Sequence, residues 1–282
     1  ADELALPDYK YYQLFKRLEL PPYIWKNAVR ESHERGLQFY SDIFGRDSLK
    51  ELEKIQVDGY KVHTTDIDNT PLLKEVAKTE KKVFLSTGGC QIEEINVALD
   101  VLKGCDVTLM YGFQAEPTEM ADNNLKRIET LKKTYDKRIG FQDHTSGDSD
   151  LSFHLSFIAT GMGVDVIEKH LTLSRVLQIE DYISALTPEE FRKWVALIRK
   201  SYHSLGNNEW EITKKELQYR KKVRRAVCAA SGINKGEIIR ESDVTLKRTN
   251  NQNVIYELSK VIGKKTNKFI KKNSVIEKKD IL

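Results

Sequence analysis

Two apolar runs in this chain end in imidazoles: Gly140-Phe141-Gln142-Asp143-His144-Thr145 and Val166-Ile167-Glu168-Lys169-His170-Leu171-Thr172. A strand that starts apolar and stops in a charged cluster suits a core badly. It suits a parallel α/β architecture well, because the chemical groups there sit at the C-terminal ends of the strands. Two such His residues on neighbouring strands can share one divalent cation, with His144 and His170 as its ligands. Either alone reads equally as a hydrogen-bonded strand-end residue; the matched positions favour a site. Lys61, in Tyr60-Lys61-Val62, stands at another strand end, where a fixed cation can hold a phosphate or carboxylate. Ser86 and Thr87, just before Gly88-Gly89 and a helical pattern, can offer hydroxyl and N–H donors to an anion.

The elements that must position these groups alternate regularly. Apolar runs at 37–44, 59–64, 82–87, 107–113, 138–144 and 164–171 read as strands. Helical patterns at about 22–35, 47–56, 71–79, 92–103, 122–135, 151–161 and 187–205 lie between and after them. Asp68-Asn69-Thr70-Pro71 and Thr187-Pro188-Glu189-Glu190 read as helix starts with Pro in the first turn. Strand and helix in repeated alternation predict parallel strands with helical crossovers, either a closed barrel or an open doubly wound sheet. No Gly-rich dinucleotide fingerprint follows any strand, which weighs against the open sheet. A closed eight-stranded barrel needs two more strands than the six found. Beyond a charged helix at about 210–221 the pattern changes to short β-like runs at 226–230, 237–239, 244–247 and 260–262, which predict a small β-rich domain.

Composition sets the outer bounds. The chain has 282 residues, 40% hydrophobic and 31% charged, so it can build one large domain and a small one. A net charge of +4 does not argue for nucleic acid, and the Lys-rich stretch at 264–279 reads as a solvated face. Cys90, Cys105 and Cys228 have no CxxC spacing, which suggests a reducing, cytoplasmic setting without disulfides. No apolar stretch reaches membrane-spanning length. The chain opens Ala1-Asp2-Glu3-Leu4 without Met, which reads as a fragment or a processed form.

Five segments in order resemble the sialic acid synthase family, which comprises the N-acetylneuraminate, legionaminate and pseudaminate synthases. They are Phe84-Leu85-Ser86-Thr87-Gly88-Gly89, Asp143-His144-Thr145, Glu168-Lys169-His170-Leu171-Thr172, Glu180-Asp181-Tyr182-Ile183-Ser184-Ala185-Leu186-Thr187-Pro188-Glu189-Glu190, and Arg224-Arg225-Ala226-Val227 with Ile233-Asn234-Lys235-Gly236-Glu237-Ile238-Ile239. The last resembles the family's C-terminal antifreeze-like (SAF) domain. The resemblance implies an α/β fold: a TIM (β/α)8-type barrel lacking its first βα unit and second strand, plus a small β-rich SAF domain. The expected layout is a partial barrel at 1–206, a linker at 207–223 and the SAF domain at 224–282. An incomplete barrel would expose two sheet edges and reduce solubility.

The implied activity is condensation of phosphoenolpyruvate with an N-acetylated amino sugar to give a nonulosonic acid and phosphate. The implied assembly is a homodimer in which each SAF domain caps its partner's barrel. Metal ligation falls to His144 and His170, with Mn²⁺ or Mg²⁺, and Lys61 is the phosphoenolpyruvate-binding lysine. Substrate contacts fall to Thr64, Ser86, Thr87, Gln114, Asp143, Asp181 and Arg248. A catalytic Glu and a second Lys would precede the matched segment. The chain departs from the family's pattern at Asp42, where a small hydroxyl residue is common. It also departs at Gln142 before Asp143-His144, at Gln114 and Glu116, and in a longer interval between His144 and His170. Two alternatives are a phosphoenolpyruvate-dependent aldol synthase for another sugar and a non-catalytic carbohydrate-binding or ice-binding protein.

Overall fold

Six short strands, β1 (Tyr40–Ile43), β2 (Gly59–Val62), β3 (Lys82–Ser86), β4 (Val107–Tyr111), β5 (Arg138–Asp143) and β6 (Val166–Lys169), pair side by side in sequence order, every pair parallel. Sequential parallel order with a helix in each crossover is the cyclic order of a (β/α)8 barrel, here present as six strands. Among the described residues no ladder joins β6 to β1. The computed structural model describes residues 1–282 except Glu116 and Asp150.

The register sorts the strands' side chains into two faces. Parallel partners such as Asp42↔Lys61, Lys61↔Phe84, Met110↔Gly140 and Gln142↔Glu168 share one face. The alternate residues, among them Ile43, Val62, Leu85, Leu109 and Phe141, are buried against the helices and form the main apolar core. Each strand is one to four residues shorter than its apolar run, because the ladder ends where the chain bends to present site residues. His144 and His170 follow directly on β5 and β6.

The helices are α1 (Tyr12–Leu18), α2 (Pro22–Glu34), α3 (Arg46–Ile55), α4 (Thr70–Ala77), α5 (Ile92–Val101), α6 (Lys126–Thr134), α7 (His154–Gly161) and α8 (Pro188–Leu205). Their starts follow local chemistry. Asn69 accepts from Leu72 N ahead of α4, and Thr187 with Glu190 forms a capping box on α8 behind Pro188. Glu3 caps α3 from a distance, accepting from Asp47 N (2.7 Å) and Ser48 N (2.9 Å). Gly45 permits that approach, since a Cβ there would lie 2.2 Å from Glu3 Oε1. No sequence pattern pointed to α1 or to the Glu3 contact.

The described residues divide into two units, Ala1–Gly206 and Asn207–Leu282. The second unit contains α9 (Lys214–Val223) and the antiparallel pair β7 (Ala226–Ala229) and β8 (Val244–Lys247). The β-like runs at 237–239 and 260–262 do not become strands. Ile238 makes a single bridge to Lys265, and Leu258–Lys260 is a 3-10 turn. Gly236 and Gly263, both at positive φ, turn the chain before a ladder can extend. No helix among the described residues is long and apolar enough to cross a membrane.

Candidate active site

The inward face of the sheet opens at the strand C-termini into a cavity of about 1410 Å³. Asp42, Lys61, Ser86, Gln142, His144 and His170 all line it, from the C-terminal ends of β1, β2, β3, β5 and β6 or the residue just beyond. Beside them, Lys61 Nζ donates to Glu168 Oε1 at 2.8 Å, and Gln142 Nε2 donates to the same oxygen at 3.1 Å and to Ser86 Oγ at 3.3 Å. Burial works against the Lys61 ammonium, and the pairing with the Glu168 carboxylate is the leading influence that outweighs it, holding its pKa above the ordinary lysine value. Burial likewise opposes the Glu168 charge, but Lys61 and Gln142 hold this carboxyl below its usual range.

The two imidazoles meet. Their ring centroids are 5.0 Å apart in an edge-on arrangement. Burial, and then the neighbouring His170, push the His144 pKa down to about 4, so this ring is neutral near pH 7. Its Nδ1 is buried without a hydrogen-bond partner. His170 is oriented by Ser184, whose Oγ lies 2.8 Å from His170 Nδ1 and donates in turn to the Asp181 carbonyl at 3.3 Å. With Ser184 accepting from Nδ1–H, the neutral ring presents its Nε2 lone pair to a ligand in the cavity.

Asp181 reaches the site by a chain reversal. After β6 the chain loops out and returns, so that Leu186 pairs beside His170 and Thr172 through Leu186 N→His170 O and Thr172 N→Leu186 O, both 2.9 Å. This return puts Asp181 Oδ2 at 3.9 Å from His170 Nε2, and Gln114 Nε2 donates to Asp181 Oδ1. Asp181 has φ +62°, a left-handed conformation uncommon outside glycine that Asp tolerates better than most residues. The returning segment is tied down beyond Asp181 by Arg175, which grips Glu190 at the start of α8 with two bonds of 2.6 and 2.7 Å and also donates to Ala185 O.

Not every residue singled out in the sequence faces the cavity. Thr64, Ser86, Gln114 and Asp181 do. Asp143 does not: alternation along β5 turns it away from the interior, and its carboxylate is taken up by Ser156 Oγ (2.6 Å), Thr145 Oγ1 (2.6 Å) and N (3.1 Å), and Lys169 Nζ (3.0 Å). Thr87 is likewise turned outward, with Oγ1 donating to Met110 O at 3.0 Å. Arg248 is exposed just after β8 in the second unit. Glu116 lies outside the described residues.

A NeuB family model matches residues 4–210, and a SAF domain model matches residues 224–282. The chain belongs to the NeuB family. This NeuB-family chain is 30% identical over 274 residues to an N,N'-diacetyllegionaminic acid synthase of Campylobacter jejuni, covering 95% of this chain and 80% of the relative. It is 27% identical to a pseudaminic acid synthase of Helicobacter pylori, over 96% of this chain and 79% of the relative. Its structure matches that of an N-acetylneuraminic acid synthetase of Leptospira borgpetersenii with a TM-score of 0.70 and 28% identity, covering 77% of this chain and 76% of the other.

The NeuB-family chain also holds site residues that sequence reasoning passed over. Glu168 lies within the quoted motif but was given no role; its place two residues before His170 puts both on one face of the strand, a signal that was available. Ser184 carried none. Neither did the 4–15 segment, from which Leu6, Tyr9, Tyr11 and Phe15 line the cavity. His63 lines it as well, while His33 pairs with Asp58 at 2.8 Å on the surface. Cys90 is no nucleophile: burial pushes its thiol up to about 11.

Proposed function

We propose that this protein condenses phosphoenolpyruvate with an N-acetylated amino sugar, forming a nonulosonic acid and releasing phosphate. The observation that carries the reading is the convergence of one paired lysine, two imidazoles and the Asp181 carboxylate on one cavity in a NeuB-family chain. The methylene carbon of phosphoenolpyruvate attacks the sugar aldehyde, and a C–C bond forms. Water adds to the resulting cationic C2, and phosphate leaves with C–O cleavage. Lys61, with Ser86 and Gln142 beside it, offers a cation and polar groups to the anionic substrate. Asp181 and Gln114 face the sugar, and the Asp181 carboxylate accepts from its hydroxyl groups.

The donor set fits a divalent cation. His144 is neutral, His170 has its Nε2 lone pair free, and His144 Nδ1 is unpartnered. Among the described residues no cluster of three or more His, Cys, Asp or Glu is arranged for a metal, so water and substrate oxygens would complete a shell anchored by the two imidazoles. Mn²⁺ or Mg²⁺ held there supplies Lewis-acid polarisation of the sugar carbonyl. A homodimer in which Arg248 is contributed across the interface belongs to the same proposal, and sedimentation velocity checks it.

The test is phosphate release from phosphoenolpyruvate with Mn²⁺ and either N-acetylmannosamine or a 2,4-diacetamido sugar. The chain is assayed as it stands and joined to the N-terminal βα unit of a NeuB-family relative. Sugar-dependent release that disappears in both His144→Ala and His170→Ala, with circular dichroism unchanged, is expected. Sugar binding by calorimetry without release in either form would replace the enzyme by a carbohydrate-binding protein.

A further inference from the structure

The inner face of the sheet sets two carboxyl groups beside one lysine, and the two are not equivalent. Glu168 has Lys61 at 2.8 Å and Gln142 at 3.1 Å. Asp42 is the cross-strand neighbour of Lys61 on β1, lines the same cavity, and forms no ion pair among the described residues. Its Oδ1 is buried with no hydrogen-bond partner. A bare carboxylate oxygen in that position is costly, whereas a carboxylic acid carries no charge to desolvate. An oxyanion brought to Lys61 would be repelled by an ionised Asp42 one strand away, and attracted by a protonated one.

We infer that Asp42 binds the substrate oxyanion as a carboxylic acid, donating its proton in a hydrogen bond to the same phosphate or carboxylate that Lys61 holds. Anion binding at this cavity is then coupled to the proton on Asp42. The inference rests on the anion-binding reading of Lys61 made above and deepens it. Environment supports the division of roles. Burial pushes the Asp42 carboxyl up and outweighs the downward pull of Lys61, while Glu168 adds a smaller rise and His63 a smaller fall. Glu168 is shifted the other way, so the interior holds one acid and one base of the same chemical type. An O–H donor to an anionic oxygen makes a short, charge-assisted bond, stronger than one between neutral groups.

Other ionisable groups line the cavity: His63 beyond β2, His144 and His170 beyond β5 and β6, Glu180 and Asp181 from the returning segment, and Asp8 and Lys10 from the N-terminal segment. The test is therefore a difference between variants. Sulfate is the probe, because it does not titrate between about pH 5.5 and 8.5 and any pH dependence belongs to the protein. Its affinity for the full chain is measured by calorimetry across that range, in buffers of different ionisation enthalpy.

The parent should bind sulfate more weakly as pH rises, by up to about tenfold per pH unit above the Asp42 pKa. Asp42→Asn, which keeps an N–H donor and cannot ionise, should show a flatter profile and take up about one proton fewer per sulfate. Asp42→Ser, a smaller neutral donor, should behave as Asn does and guards against a folding defect in one variant. Equal slopes and equal proton counts in parent and Asn variant, with sulfate still released by Lys61→Met, would overturn the role of Asp42 alone. Sulfate binding indifferent to Lys61→Met would overturn the anion site itself.

Discussion

Replacing Asp143 by Asn separates a structural carboxylate from a substrate-binding one. In the parent the side chain is fully buried and accepts four hydrogen bonds, from Ser156, twice from Thr145, and from the equally buried Lys169 at 3.0 Å. Asn keeps the volume and one accepting oxygen but removes the charge. The Lys169 ammonium then has only neutral acceptors, the Asn oxygen, the Thr145 carbonyl at 2.8 Å and the Thr145 hydroxyl. Breaking a buried ion pair from one side costs about 3–5 kcal/mol. Deprotonation limits that loss, because burial already depresses the Lys169 pKa and Asp143 alone opposes it. A destabilisation of about 3 kcal/mol is therefore expected. With an m-value of about 2 kcal/mol/M, the urea midpoint followed by far-ultraviolet circular dichroism should fall by about 1.5 M. Asp143→Leu combined with Lys169→Met should lose less than the sum of the single changes, since neither charge is then left unpaired. An Asn variant with an unmoved midpoint and a raised substrate KM would refute the reasoning and return Asp143 to the cavity.

Two further outcomes follow from the same geometry. Arg175 and the Thr187 cap hold Glu190 at a pKa of about 2, below the ordinary carboxylate value, so their stabilisation is complete above about pH 4.5 and is lost as pH falls toward 2. Glu190 is one-third exposed, so solvent screening reduces the effect to about 1 kcal/mol. Glu190→Gln should therefore flatten the acid limb of a stability–pH curve and raise the amino-sugar KM by loosening the Asp181 loop. An unchanged acid limb would contradict it. Gly112 has φ +131°, and a Cβ there would lie 2.3 Å from Gln142 O, so Gly112→Ala should cost about 2–3 kcal/mol. Thermal unfolding of that variant at parental temperature would show that this crossing is not tight.

Much of the frame was readable along the chain because it depends on local periodicity. Alternating apolar runs and capped amphipathic segments specify strands joined by helices, and all six strands of the parallel sheet and eight helices, α2 to α9, appear where that pattern puts them. Motif order likewise carries the NeuB family and SAF matches, which span 4–210 and 224–282. His144, His170 and Lys61 were legible as candidates, and all three line the cavity, because a charged group at the end of an apolar strand contradicts core chemistry.

What the sequence alone could not decide is which way each side chain turns and what it meets across long separations. Asp143 and His144 are adjacent, yet one pairs with Lys169 behind the sheet and the other faces the cavity, since the β pleat reverses direction at every residue. The Lys61–Glu168 pair spans 107 positions, and the Arg175–Glu190 clamp at the end of the returning segment depends on a loop folding back beside β6. Sequence determined the elements and the residues that end them, because short-range sterics and hydrophobic period act within one segment. Only the tertiary structure decided that Glu168 would neutralise Lys61 and leave Asp42 without a partner, because electrostatics and burial depend on distances that no local pattern encodes.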